Sequence, residues 1–380
     1  MWMGQIQIHL SGLSAFQLPR KERASIVVIT LWTLCMLSVF TVTLSYGVRQ
    51  KLSLIKRLDE RDRMQYIADA AVKKAIAQIK KEEHKGYDAL KDAWSNDAPL
   101  FKDIPIEDGT FSIVYPYVDE VSQDTPSRKS EDSGWASDSP SRKSEDSGWA
   151  SDSPSRYGLI DEESKININT ANRKIMERLF QILLSVNDVE AQELAASIID
   201  WRDGDSFLSI PLGSAEDAYY KGLSHPYEAK DAGFESLEEL LLVKGIAQDI
   251  LEKIKKYITV YGEARVNINT ASKTVLASLG LHESIINAIV LFRAGEDGTS
   301  GTFDDNVFDA ALSIAQRLSQ RYQLNEAEAA ELTVIAERYL TTYSSAFMVE
   351  AVAQLHNRKN SMRVVSVIDR QGKILYWHEP

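Results

Sequence analysis

Cysteine is nearly absent from this chain: Cys35 is the only one in 380 residues. A single thiol excludes an intramolecular disulfide and a thiolate metal site. Histidine is also sparse. The six histidines, among them His84, His225, His282 and His356, are scattered and show no HExxH or paired spacing of the kind that holds zinc. There is no Gly-rich phosphate loop, since Gly245 stands alone in LLLVKGIAQDIL, and there is no Gly-x-Ser-x-Gly elbow. An enzyme reading therefore has no catalytic constellation to rest on. Excess positive charge is lacking too: the net charge is −12. That argues against wholesale nucleic-acid binding, which needs a basic surface to meet phosphates. It leaves room for carboxylates gathered around a cation. The hydrophobic fraction, 44%, suffices for real cores, and the length allows two or three domains.

Residues 25–46, SIVVITLWTLCMLSVFTVTLSY, are what the chain has in place of these motifs. The run has 22 residues with no charge and no proline. As a helix rising ~1.5 Å per residue it spans a hydrocarbon core of ~30 Å. It is longer than the ~7–15-residue apolar region of a secretory signal. Arg20, Lys21 and Arg23 flank one side and Arg49, Lys51, Lys56 and Arg57 the other, so charge alone does not orient it. Beyond it Leu52, Ile55, Leu58, Ile67, Ala71, Ile76 and Ile79 recur mostly at three- and four-residue steps. The next proline is Pro99, which predicts one helix from residue 25 to about 81. The alternative is two helices hinged near Gly47, a residue that costs only ~1 kcal/mol inside a helix.

The remainder reads as strands around a helical middle. Residues 110–118 form a strand by β-branched and aromatic content, with Pro116 placing it at an edge or bulge. The fourteen-residue sequence PSRKSEDSGWASDS then occurs at 126–139 and again at 140–153. Its polar composition predicts a disordered loop lengthened by duplication, with Trp135 and Trp149 read as parts of a spacer. A strand over 157–168 leads into ININTAN at 166–172, which returns as VNINTAS at 266–272. Each copy precedes a helical run, 173–184 and 273–279, and its threonine and asparagine suit helix N-caps. Further helices are expected over 283–293 and 307–339. The chain closes with three strands, 346–355, 362–369 and 373–377, in an antiparallel meander. The expected class is α+β, with a mostly helical domain inserted into a sheet-bearing one.

Two segments can carry chemistry. Asp200, Asp203 and Asp205, followed by Glu216 and Asp217, place oxygen ligands along a glycine-containing loop, as a hard cation such as Ca²⁺ requires. The spacing is not that of an EF-hand. The alternatives are helix capping with an Arg202 ion pair, or a paired-carboxylate hydrolase. The other segment, 240–254, resembles helix-hairpin-helix text, in which backbone N–H groups meet a DNA phosphate. Only Lys244 stands nearby to help.

Taken in order, the basic-flanked apolar helix, ININTAN, Ile198-Ile-Asp-Trp-Arg-Asp203 with Asp205, Gly213-Ser-Ala-Glu-Asp217 with Tyr220, Pro226-Tyr227, Glu238-Glu-Leu-Leu-Leu-Val243 with Gly245, and VNINTAS resemble the K-type minor pseudopilins of the type II secretion system. The resemblance implies a cytoplasmic prepilin leader over 1–24, a transmembrane helix over 25–46 and its amphipathic extension over 47–95. Pilin-like strands would follow over 96–169, carrying the Ser-rich loop 122–156. A helical domain over 170–340 and C-terminal strands over 341–380 would complete a small antiparallel pilin-like sheet under a long N-terminal helix. The resemblance further implies a prepilin peptidase cut between Ala24 and Ser25, with methylation of the new terminus. The family pattern has Gly where this chain has Ala24. Most pseudopilins carry Glu as the fifth mature residue; Ile29 stands there, a departure that K-type subunits share. A carboxylate in lipid costs ~3 kcal/mol or more unless paired, and a subunit at a filament tip has no neighbour above it to pair with. The implied role is a structural, non-enzymatic cap on the periplasmic pseudopilus, initiating or limiting its assembly. The implied setting is single-pass in the inner membrane with the body in the periplasm. The implied partners are other minor pseudopilins and inner-membrane secretion components, and no nucleic acid. Related K-type proteins bind calcium in the helical domain, which favours a calcium site among Asp200, Asp203, Asp205, Glu216 and Asp217. The alternative is a membrane-anchored helix-hairpin-helix DNA-binding protein of a DNA-uptake apparatus.

Overall fold

Between Pro19 and Pro99 the sequence has no proline, and the backbone uses this freedom. In the computed structural model, which describes residues 20–82, 86–117, 155–322, 324–356 and 360–380, helix α1 (Arg20–Lys81) runs for 62 residues. It passes Gly47 without a break, so the hinged alternative does not occur. From Ile26 to Leu58 its large apolar side chains are exposed, and this part is long and apolar enough to cross a membrane. From residue 63 onward the chain forms a second unit. There Ile67, Ala68, Ala71, Val72, Ala75 and Ile79 are buried on one stripe of the helix. The extension expected over 47–95 stops early, at Lys81. Gly86 has φ +71°, and the Asp92 carboxylate takes the Ala89 N–H at 2.9 Å, so turns replace helix.

Asp97 caps a one-turn helix, α2 (Ala98–Phe101), by accepting from Leu100 N at 3.0 Å. Strands β1 (Ile104–Ile106) and β2 (Gly109–Ile113) follow as an antiparallel pair. The strand expected over 110–118 breaks after Ile113, and Pro116 lies in a separate two-residue ladder of β3 (Tyr115–Pro116) with β4 (Ser155–Arg156). The Ser-rich segment was expected to reach 156. Residues 118–154, with both tryptophans, lie outside the described residues, but Ser155 and Arg156 are ordered strand. Arg156 is buried over the Tyr117 ring and donates to Ser300 O, which holds this end in place. The single strand expected over 157–168 is instead β5 (Ile160–Asp161), a 3-10 turn over Glu162–Ser164 capped by Asp161, and β6 (Ile166–Asn167).

The helical domain is built twice. The first copy contains β6, α3 (Arg173–Leu184), α4 (Asp188–Arg202), α5 (Asp217–Tyr220), α6 (Gln248–Ile254) and β7 (Ile258–Thr259), which lies parallel to β6. The second contains β8 (Val266–Asn267), α7 (Lys273–Ser278), α8 (Glu283–Arg293), α9 (Ile314–Tyr322), α10 (Glu326–Tyr339) and β9 (Leu340–Thr341), parallel to β8. The helix caps are Asn172, which accepts from Ile175 N at 3.0 Å, and Ser272, which accepts from Val275 N at 3.2 Å. Thr170 and Thr270 are not caps, because a cap must directly precede the first helical residue. Both copies share one hydrophobic core, including Phe180, Trp201, Tyr220, Ile268, Phe292 and Phe308.

After this insertion the chain returns to the first sheet as β10 (Ala346–Leu355), β11 (Ser361–Asp369) and β12 (Ile374–His378), the expected meander within a residue or so. The sheet order is β1-β2-β10-β11-β12, with β5 also paired to β10. Its inner face, Phe111, Ile113, Phe347, Val349, Ala351 and Ala353, packs with Trp94 and Phe101 against the alanine stripe of α1. The whole is the α+β pilin-like arrangement the sequence implies.

Candidate metal centre

Helix α4 ends at Arg202 because Asp203 turns the chain away, its N–H still bonded to Ile199 O at 2.9 Å. The next strand of loop brings Glu216 back beside it. Carboxylate oxygens of Asp203, Asp205 and Glu216 all lie within 4.8 Å of one another. Glu216 is only 6% exposed, yet its Oε1 has no hydrogen-bond partner, and neither has Asp203 Oδ1. Burial, then Asp200, Asp203 and Asp231, push the Glu216 carboxyl up to about 7. Burial and Asp205 likewise raise Asp203. The neighbouring Arg202 charge offsets this only in part, since the Asp203 carboxyl is raised despite it. All-oxygen donors of this kind suit Ca²⁺.

The other two expected ligands are engaged elsewhere. Asp200 is fully buried, and both its oxygens face Ser209 N, at 3.2 and 3.1 Å. It anchors the loop and contributes charge. Asp217 points away, bonded to Lys221 Nζ at 2.7 Å and to Ala229 N at 2.9 Å. The expected Arg202 ion pair is not made; the guanidinium donates to Ala171 O at 2.6 Å. Asp231, which the sequence reading did not single out, adds its field to both Asp203 and Glu216 from a turn at φ +51°. Nothing in its spacing marks it, because the 220–231 loop alone brings it round.

The loop is held from outside by the second segment of interest. Lys244 Nζ donates to Gly213 O at 2.9 Å and Ser214 O at 3.3 Å, and Lys244 N donates to Tyr220 Oη at 3.3 Å. Gly213 must be glycine: a Cβ there would stand 2.7 Å from Ile210 Cγ2 and 3.0 Å from Glu193 Cγ. Trp201, Tyr220 and Tyr227 pack edge-on and stacked behind the carboxylates, with ring centroids 5.0 to 6.1 Å apart.

A helix long and apolar enough to cross a membrane, its far end packed on an antiparallel sheet, with a duplicated helical domain inserted, is a pilin-like α+β architecture. Comparison with known proteins narrows this. Residues 157–263 match the family model for type II secretion system protein K. Type II secretion system protein K of Aeromonas hydrophila is 38% identical over 89 residues, and that of Pectobacterium carotovorum subsp. carotovorum 24% over 135 residues. The matched stretches span only 27% and 40% of those relatives. A chain of the GspK-GspI-GspJ complex from the enterotoxigenic Escherichia coli type 2 secretion system shares the fold, with a TM-score of 0.59 at 15% identity over 86% of this chain and 98% of that one. The chain thus resembles type II secretion system protein K in sequence over residues 157–263, and its fold resembles that of a chain of the GspK-GspI-GspJ complex.

Proposed function

We propose that this protein is a structural, non-enzymatic minor pseudopilin that caps the tip of the periplasmic pseudopilus in type II protein secretion and initiates or limits its assembly. The observation that carries this reading is α1. One 62-residue helix has an exposed apolar stretch of membrane-spanning length near its start and a stripe from Ile67 to Ile79 buried against the body's sheet. Such a helix stores the subunit in the inner membrane and repacks against neighbouring helices when drawn out. Ile29, exposed on α1, lacks the carboxylate that would pair with a neighbour above. Other minor pseudopilins and inner-membrane secretion components are the partners on this reading, and the body lies in the periplasm. Mass spectrometry of protein from membranes with active prepilin peptidase tests it. The expected product begins at a methylated Ser25, and an intact Met1 terminus would reject it.

We further propose that Asp203, Asp205 and Glu216 bind Ca²⁺, with Asp200 buried behind them. The converging carboxylates and the orphaned oxygens of Glu216 and Asp203 support this. For the rival DNA-binding reading, Lys244, the basic residue beside Gly245 in the 240–254 hairpin, is already engaged by the Gly213 and Ser214 carbonyls, and Lys253 is the segment's other basic residue. A duplex DNA shift by the full chain in detergent at low salt would revive that reading.

A further inference from the structure

The two Asn-Ile-Asn-Thr-Ala motifs fold alike to within a few tenths of an ångström in their hydrogen bonds. Asn167 Oδ1 takes the Asn169 N–H at 2.9 Å, and Asn267 Oδ1 takes that of Asn269 at 3.0 Å. The Asn169 amide exchanges two bonds with the backbone of Phe234, at 2.9 and 2.7 Å, and the Asn269 amide with that of Phe308, at 2.9 and 2.8 Å. Arg202 donates to Ala171 O and Arg293 to Ala271 O, both at 2.6 Å. The threonine hydroxyls lie 3.3 and 3.4 Å from the carbonyls of Asn167 and Asn267.

The copies differ in what meets the threonine hydroxyl and the first asparagine amide. The second motif is filled from within the chain. Asp161, on β5, puts its Oδ2 between Thr270 Oγ1 and Asn267 Nδ2, the latter at 3.0 Å, and is itself only 3% exposed. In the first motif Thr170 is exposed, and among the described residues no carboxylate meets its hydroxyl. Ile166, Asn167 and Thr170 border a cavity of about 220 Å³ there, floored by Ile175, Val266 and Leu279. At its rim stands Arg338, exposed, against the ring of Tyr339 and paired with no carboxylate among the described residues. The Tyr339 hydroxyl accepts from Asn172 Nδ2 at 2.9 Å, which leaves its own proton to donate.

We propose that the cavity at the first motif is a carboxylate socket, and that its occupant is an acidic residue on an extended segment of a partner polypeptide, seated as Asp161 is seated in the second motif. Thr170 Oγ1, Tyr339 Oη and Arg338 are the donors, and the apolar floor takes the stem of the residue. Asn167 contributes less than Asn267 does, because its Nδ2 already faces Tyr261 O and Gly262 O at 3.1 and 3.3 Å. Arg338 supplies the charge in compensation. This inference does not depend on the cation site.

The test uses the full chain in detergent micelles and a fluorescent peptide of residues 157–163, capped at both ends, which carries the Asp161 segment. Saturable binding is expected. The Thr170→Val variant, which changes no charge, and Arg338→Gln should each weaken it by about tenfold, the effect of one charge-assisted hydrogen bond. A peptide with Asn in place of the aspartate should lose as much. A peptide with a free C-terminal carboxylate and no acidic side chain forms a second arm. Thr170-dependent binding of that peptide alone would make a chain end the occupant and overturn the side-chain assignment. Equal affinity of wild type and Thr170→Val for the Asp peptide, no saturation at millimolar peptide, or equally tight binding of acetate would overturn the proposal. Both substituted residues are exposed, so unchanged thermal melting should confirm that the variants fold.

Discussion

Glu216 and Asp217 are adjacent in sequence and opposite in electrostatic setting. Asp217 is held below the usual carboxylate range by Lys221 and the Ala229 N–H, whereas Glu216 is pushed up to about 7 by burial among other carboxylates. Sequence spacing placed both among the candidate ligands and could not tell them apart. Saturating Ca²⁺ at ~100 times its Kd would contribute ~2.7 kcal/mol to stability. The expected outcome is a rise in melting temperature of about 5 °C or more on adding Ca²⁺, measured by circular dichroism. Asp203→Asn and Glu216→Gln should abolish the rise, and Asp217→Asn should leave it. Trp201 fluorescence should follow the same titration, since its ring packs on Tyr220 beside the site. An unchanged response in the Asp203 and Glu216 variants would exclude this site.

Helix α1 shows what periodicity can and cannot reveal about an element. The spacing of Ile67, Ala71 and Ile79 was legible as a buried stripe, and all three are buried. Leu52, Ile55 and Leu58 also recur at helical spacing, in three-residue steps, but stay 51 to 61% exposed. Alanines at 68, 71 and 75 let the helix approach the strands closely. Ala71→Leu should therefore destabilise the body by ~1–3 kcal/mol through overpacking, read as a lower denaturation midpoint. Ile55→Ser should leave that midpoint unchanged. Equal effects of the two would contradict the packing described.

At the scale of the whole second unit, the sheet-bearing body and the helical domain meet through buried polar groups. Asp88 pairs with Arg370 at 2.6 Å and takes the Ser344 N–H at 2.8 Å, while Asn267 donates to Asp161, to Asp88 O and to Ser344 Oγ. Glu163 takes the N–H groups of Glu263 and Ala346 at 3.1 and 3.2 Å. Burial raises the carboxyls of Asp88, Asp161 and Glu163 above their ordinary values. A raised carboxyl binds its proton more tightly folded than unfolded. Its contribution to stability is thus complete below the unfolded value, ~4, and is lost as pH rises through the folded value. The melting temperature should therefore fall as pH rises above that unfolded value. Asp161→Asn should lower stability at every pH, through mismatched hydrogen bonds to Asn267 and Thr270, while flattening that slope. A slope unchanged in the variant would show that Asp161 does not titrate with folding.

Short-range features of the sequence were enough to determine the membrane-length helix, the duplicated motif, most helix spans and the closing meander, because lipid thickness, helical periodicity and strand alternation act on neighbouring residues. The first cap is an asparagine, Asn172, as composition suggested, whereas the second is Ser272, and the threonines stand two residues before each cap. Tertiary structure alone decided the rest. It chose Asp203, Asp205 and Glu216 over Asp200 and Asp217, and it added Asp231 from a distant turn. It also set the two near-identical motifs to different uses, one closed by Asp161 and one left open beside Arg338. These choices depend on which side chains the fold turns toward one another, whether across one loop, as for the carboxylates, or across 106 residues, as for Asp161 and Asn267.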